Sequence, residues 1–177
     1  IFLPILYEIK VKNIISASLL TFVFLFMAQK NVFAYITVLG EGDVSICYKS
    51  AKSGQGGISA INSCLSAINE VGITKKNLYA TYVNLGIIYN NSKRPDQAIK
   101  VLNKALEYDK TIAESLLSLG NSFYIKKNYE EAIKLYDQSL NRGLKDISAI
   151  YFNKGLVYER LNDIKLAVNF YQKAIEI

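Results

Sequence analysis

Residues that could carry catalytic or metal chemistry are scarce in this chain. Its 177 residues include no histidine, and the two cysteines are Cys47 and Cys64. A Ser-His-Asp or Cys-His nucleophile system needs an imidazole base, and zinc sites usually need imidazole or several thiolates. We therefore expect no catalytic residue, no metal site and no cofactor. The alternative, an enzyme or enzyme subunit, would depend on carboxylate or hydroxyl groups that no motif identifies.

The charge pattern gives no support for a nucleic-acid partner. The formal net charge is +6, but the basic residues are scattered singly or in pairs such as Lys75/Lys76 and Lys126/Lys127. Nucleic-acid interfaces concentrate lysine and arginine on one face, often with interleaved aromatic residues. We therefore expect no nucleic-acid binding.

The first 34 residues have the layout of a secretory signal peptide. Lys12 precedes an almost wholly apolar stretch over residues 14–28, and Val32-Phe33-Ala34 ends in the small residue that signal peptidase prefers. This apolar stretch is short for a bilayer core, which needs about 20 residues. We expect cleavage after Ala34 and a periplasmic or secreted mature protein. The alternative is an uncleaved segment anchored in the inner membrane, because residues 1–9 are also largely apolar.

A repeat of 34 to 35 residues organises the rest of the sequence. Gly86, Gly120 and Gly155 are 34 and 35 residues apart, and each is followed three residues later by an aromatic residue and twelve residues later by an alanine. A large residue stands four positions after each alanine, and a small one three positions further on. Agreement across so many columns is typical of a helical repeat. The later columns contain Ala98, Leu102 and Ala105; Ala132, Tyr136 and Ser139; and Ala167, Tyr171 and Ala174.

These columns resemble the tetratricopeptide repeat family, whose unit is a pair of antiparallel helices. Small residues in the glycine and alanine columns let the two helices approach closely, and the large columns fill the space around that contact. The resemblance implies an all-α fold, a right-handed α-solenoid of about four helix-turn-helix units. The predicted units are 79–112, 113–146 and 148–177, preceded by a divergent first unit at 43–78. The last unit lacks the polar closing helix that such arrays usually carry.

Turn residues agree with these helix positions. Asn128 and Asp163 precede the second helices of the last two units, where a side-chain oxygen can accept from free helix amides. Pro95 suits the first position of the second helix in unit 79–112 because it has no N–H to leave unpaired. We therefore expect second helices to begin at these three places.

The divergent first unit contains both cysteines, one on each of its predicted helices. Ala60, Cys64 and Ala67 repeat the spacing of the later second helices. In an exported protein, cysteines in facing core columns would form a disulfide, Cys47–Cys64, worth about 3 kcal/mol in the loop-entropy model. Two buried reduced thiols remain the alternative.

The resemblance also implies where a partner binds. In the family, the first helices of successive units line the concave surface that holds ligands. Carried over by column, the lining residues are Val83, Asn84, Ile87, Asn90, Leu117, Asn121, Tyr124, Phe152, Asn153, Leu156 and Glu159. Asn84, Asn121 and Asn153 could pair with both the donor and the acceptor of an extended peptide backbone.

The basic residues with which chaperone-binding members clamp a free carboxyl terminus are missing here. Val83, Ala149 and Asn153 stand in those columns. The sequence therefore predicts a non-catalytic scaffold for a peptide or protein partner outside the cytoplasm. The leading alternative is a membrane-anchored assembly factor for an envelope complex. Self-association is also expected, through the exposed apolar side of the last helix that carries Ile164, Val168 and Ile175.

Overall fold

Every regular element in residues 42–109 and 112–177, the residues that this computed structural model describes, is an α-helix. The described residues belong to one unit of the chain. The predicted signal segment, residues 1–34, lies outside them. The helices are α1 Asp43–Lys52, α2 Ile58–Ile68, α3 Lys75–Asn91, α4 Pro95–Tyr108, α5 Ala113–Ile125, α6 Tyr129–Asn141, α7 Ile147–Arg160 and α8 Ile164–Glu176.

The eight helices of the described residues form four hairpins in chain order: α1/α2, α3/α4, α5/α6 and α7/α8. Each second helix also packs on the first helix of the next hairpin, and the first helices α1, α3, α5 and α7 contact one another in sequence. An amphipathic hairpin buries its apolar side only by such stacking. The predicted all-α repeat fold is confirmed.

Each hairpin from α3 onward has its close helix crossing at the predicted glycine. A Cβ atom added to Gly86 would lie 2.5 Å from the Leu102 side chain, which is closer than real side chains pack. A Cβ atom added to Gly120 would lie similarly close to the Tyr136 ring, and one added to Gly155 would lie similarly close to the Tyr171 ring. The repeating glycines therefore occupy equivalent places where paired helices cross.

The first hairpin is closed by a covalent bond instead. The structure joins Cys47 of α1 to Cys64 of α2, as predicted, with their Cα atoms 4.8 Å apart. Both residues are fully buried. Cys64 stands four positions after Ala60, the column that Leu102, Tyr136 and Tyr171 fill in the later hairpins. The disulfide thus occupies the place of the contact between a glycine and a large side chain.

The predicted helix starts are found where the capping residues indicated. Asn128 accepts a hydrogen bond from the Glu131 amide, Asp163 accepts one from the Leu166 amide, and Pro95 opens α4. One start differs from its predicted unit boundary. Helix α3 begins at Lys75, four residues before Tyr79, because the Thr74 hydroxyl accepts a hydrogen bond from the Asn77 amide.

The tight turns of the last three hairpins share one backbone conformation. Lys93, Lys127 and Asn162 have φ angles of 57°, 62° and 62°, which belong to the left-handed region. In the first hairpin that region is occupied by Gly54, with a φ of 69°. A residue with a Cβ atom is strained there, whereas glycine is not.

Candidate partner-binding surface

The predicted lining residues of α3 do not form an accessible surface. Val83, Asn84, Ile87 and Asn90 are all buried, within a run of eleven buried residues from Ala80 to Asn90. Helix α3 packs against α1, α2, α4 and α5. Column positions predict the direction in which a side chain faces, but not how deeply its helix is covered. The expectation that these four residues are open to a partner is therefore wrong.

Asn90 illustrates what a buried carboxamide does in this fold. Its Nδ2 atom donates to the Ser118 carbonyl oxygen at 2.9 Å, and the Ser122 hydroxyl donates to its Oδ1 atom at 2.9 Å. Both partners lie on α5. A buried amide whose nitrogen and oxygen both have partners stabilises the α3–α5 contact. Asn90 thus acts as a tie between hairpins.

Accessible lining residues lie on α5 and α7. Asn121, Tyr124, Phe152 and Leu156 are partly exposed. Leu117 and Asn153 are buried beneath them, with Asn153 at 7% exposure. The structure therefore brings the four accessible residues together on the first helices of two adjacent hairpins, and we define the α5–α7 surface as these four residues with Asn153.

Asn121 is the polar centre of the α5–α7 surface. Its Oδ1 atom accepts from the Tyr136 hydroxyl at 2.9 Å and from Asn153 Nδ2 at 3.0 Å. Burial raises the pKa of the Tyr136 phenol, so the hydroxyl keeps its proton and remains a donor. These contacts fix the orientation of the carboxamide and link α5 to both α6 and α7.

The two carboxamides keep unused hydrogen-bonding capacity. Asn121 Nδ2 has no acceptor, and Asn153 Oδ1 has no donor, within the described part of the chain. A peptide bond offers one carbonyl acceptor and one N–H donor. The pair therefore presents a donor and an acceptor that complement an extended backbone.

Tyrosine hydroxyl groups extend this network towards the end of α7. Tyr124 Oη accepts from Arg160 Nε at 3.2 Å, and the Tyr171 hydroxyl donates to Glu159 Oε2 at 2.6 Å. Burial, followed by the hydrogen bond to Glu159, raises the pKa of Tyr171. Glu159 stands in a predicted lining column, but the repeat columns do not reveal the roles of Arg160, Tyr136 and Tyr171. A repeat column indicates the size of a side chain, but not the direction of its hydroxyl.

The described residues contain neither a cluster of metal ligands nor a helix that could span a membrane. Over residues 42–109 and 112–177, no three or more histidine, cysteine or acidic side chains are grouped as metal ligands would be. Within the same residues, no helix has the length and apolar character needed to span a membrane.

The hairpins and their stacking define a helical repeat protein, and comparison with known proteins identifies the repeat. Two family models, both described as tetratricopeptide repeat, match residues 79–112 and 111–177. Together they cover residues 79–177, more than half of the 177 residues. The chain therefore belongs to the tetratricopeptide repeat family.

Individual relatives share part of this region. The chain is 32% identical over 78 residues to Hsp70-Hsp90 organizing protein 3 of Arabidopsis thaliana, a match covering 44% of this chain and 14% of that protein. It is 34% identical over 88 residues to the mitochondrial import receptor subunit TOM70 of Saccharomyces cerevisiae strain ATCC 204508 / S288c, covering 50% of this chain and 14% of that protein. The matched region thus spans about one seventh of each relative.

A solved structure supports the fold. The crystal structure of MamA superposes with a TM-score of 0.56 at 23% sequence identity, covering 79% of this chain and 76% of that chain. At that level of identity, the likeness concerns the fold alone.

Proposed function

We propose that this protein is a non-catalytic scaffold that holds a peptide or protein partner on the α5–α7 surface, outside the cytoplasm. The Asn121–Asn153 pair carries the proposal, because its unused donor and acceptor match a peptide backbone. The partly exposed side chains of Phe152 and Leu156 lie on the same helix as Asn153 and can accept apolar side chains of the partner. The relatives whose names refer to chaperones and an import receptor agree with a protein-binding role.

An extended segment is the form of partner that this surface favours. Hydrogen bonds between the carboxamides and the partner's backbone do not depend on the partner's side chains. The apolar contacts beside them select the partner residues that flank the paired peptide bond. The lack of a basic clamp in the family columns argues against recognition of a free carboxyl terminus. The partner segment is therefore expected to be internal to its chain.

Photocrosslinking tests the surface directly. A benzophenone amino acid at Phe152 should capture a partner in cells, because the substitution retains an aromatic ring at a partly exposed position. The matched control carries the same amino acid at Lys100, an exposed residue of α4 outside the surface. Equal adducts at both positions, or none at Phe152, would count against the proposal.

The proposed location rests on two sequence and structural features. Residues 1–34 have the layout of a signal peptide, and the Cys47–Cys64 disulfide suits an oxidising compartment. The intact mass of the mature protein tests both features. It should correspond to a chain beginning at Tyr35 and rise by about 2 Da on reduction, because each cystine takes up two hydrogens. A retained N-terminal segment would favour the membrane-anchored assembly factor instead.

Self-association is a second proposal, supported by the outer side of α8. Ile164 and Ile175 are 48% and 61% exposed. In α4, Leu106 occupies the column of Ile175, and it packs against the core. A hairpin of a second copy would cover the α8 residues in the same way.

The double variant Ile164→Glu with Ile175→Glu should abolish concentration-dependent association in sedimentation velocity. The control variant Lys165→Glu should leave that association unchanged. An unmodified protein that stays monomeric would disprove this proposal.

A further inference from the structure

Arg160 is a positioned cation beside the α5–α7 surface. It is the last residue of α7, and its side chain is exposed. Its Nε atom donates to Tyr124 Oη of the preceding hairpin at 3.2 Å. This contact holds one edge of the guanidinium group, so the side chain is less free than an ordinary surface arginine.

None of the ion pairs between described residues includes Arg160, although Glu159, its neighbour in the chain, attracts the guanidinium group electrostatically. These ion pairs join Lys126 to Asp96, Lys134 to Glu131 and Lys154 to Asp137. Glu159 precedes Arg160 in the chain, but its carboxylate accepts the Tyr171 hydroxyl. The two terminal amino groups of Arg160 therefore remain available, and their geometry matches the two oxygens of a carboxylate.

Spacing along the helices relates Arg160 to the amide pair. Arg160 lies seven residues after Asn153 on α7, a rise of roughly 10 Å at 1.5 Å per residue. The Arg160 side chain reaches Tyr124, which lies one turn after Asn121 on α5. An extended peptide advances about 3.3 Å per residue. A partner side chain roughly two to three residues from the paired backbone can therefore meet the guanidinium group.

We infer that Arg160 makes the scaffold selective for an extended peptide with an aspartate or glutamate two to three residues from the segment that pairs with Asn121 and Asn153. This inference rests on the proposed function and adds its specificity. The apolar Leu156 lies one turn before Arg160, so the preferred segment combines an acidic residue with apolar neighbours.

A positional peptide array tests the inference with the full chain. The array holds octapeptides of otherwise random sequence in which one position is fixed as Glu, Gln or Lys. The protein should bind Glu peptides roughly three- to fivefold more tightly than Gln peptides at one or two positions, since an ion pair at an exposed side chain contributes up to about 1 kcal/mol. Lys should be the weakest of the three.

Variants assign the preference to this side chain. Arg160→Gln should remove the preference for Glu over Gln, because the positive charge that distinguishes the two side chains is lost. Tyr124→Phe should reduce the preference, because the anchor of Nε is lost. Arg142→Gln is the matched control, because it removes the same charge from the exposed C-cap of α6 and should leave the preference intact.

The outcomes separate the inference from the function on which it rests. If no octapeptide binds, the proposed peptide scaffold fails, and the specificity fails with it. If peptides bind without preference for Glu, or if Arg160→Gln leaves that preference unchanged, the scaffold stands and the role of Arg160 is wrong. If Arg142→Gln removes the preference equally, the effect is one of net charge and the inference is likewise overturned.

Discussion

The first hairpin and the three that follow it differ in how their two helices are held together at the crossing. In α3/α4, α5/α6 and α7/α8, a glycine backbone receives the large side chain that lies sixteen residues later. In α1/α2, the cysteine pair lies across the equivalent crossing, seventeen residues apart. The first hairpin is also built from the two shortest helices of the described residues, with 10 and 11 residues.

The difference shows what each kind of closure requires. Packing of a large side chain against glycine depends on the shape of the whole contact between the two helices and is stable only when neighbouring hairpins hold it in place. A covalent bond acts by restricting the unfolded chain, so it stabilises a short hairpin that buries little apolar surface. The first hairpin should therefore depend on oxidation, and the other three on complementary fit.

Removal of a packed ring should have the largest effect on stability. Tyr136 is 1% exposed, and Tyr136→Ala should lower the free energy of unfolding by about 4 kcal/mol because a large cavity replaces the ring. Urea denaturation followed by far-UV circular dichroism measures the loss. Tyr136→Phe keeps the ring and loses the hydrogen bond to Asn121, so it should cost only about 1 kcal/mol. Similar losses for both variants would show that the hydroxyl, not the ring, closes this hairpin.

Removal of the disulfide should come next and should act locally. Cys47→Ala with Cys64→Ala should lower stability by about 3 kcal/mol, the loop-entropy value for a closed loop of this length. Hydrogen exchange should rise in α1 and α2 while α7 and α8 stay protected. Cys47→Gly with Cys64→Leu should regain part of the loss by recreating the pair formed by Gly86 and Leu102. Equal loss of protection in α7 and α8 would contradict a local role.

A single added methyl group should disturb a packed crossing less. Gly120→Ala should cost about 2 kcal/mol, although alanine favours helix over glycine by about 1 kcal/mol, because the new Cβ atom meets the Tyr136 ring. The cost should vanish when Tyr136→Ala is already present. A double-mutant cycle by urea denaturation measures this coupling. Additive losses would mean that Gly120 is required for some reason other than the ring.

The smallest effect should be a gain at the turns. Lys127 holds a φ of 62°, so Lys127→Gly should raise stability by about 0.5 kcal/mol by relieving strain that Gly54 avoids in the first hairpin. Thermal unfolding by calorimetry is sensitive enough to detect the shift. Lys126→Gly is the control, because Lys126 has a φ of −74° and should give no gain. Stabilisation by both variants would point to charge removal instead.

The repeat columns predicted the framework well because size and spacing determine it. Gly86, Gly120 and Gly155 were placed at the crossings by spacing alone, and Asn128 and Asp163 at helix starts by their capping chemistry. Helix α3 begins four residues before the predicted unit boundary at Tyr79, because the Thr74 cap adds a turn before the unit. A capping residue such as Thr74 indicates a helix start by itself, wherever the boundary of the repeat unit falls.

The surface was harder to predict than the framework. The sequence identified Asn121 and Asn153 as lining residues, and the structure brings them into contact. It also predicted Val83 and Ile87 to be accessible, but both are buried, because depth depends on how many helices surround α3. The bond between Tyr124 and Arg160 joins side chains 36 residues apart, and no single column contains that information.

Asn90 and Asn121 have a consequence for the energetics of recognition. Asn90 fastens α3 to α5, and Asn121 fastens α5 to both α6 and α7, so consecutive first helices cannot slide past one another without breaking hydrogen bonds. The carboxamide orientations are thus already fixed in the unliganded protein. A segment bound as we propose would lose its own conformational freedom but impose little additional ordering on its host, which would favour tight association from a small contact area.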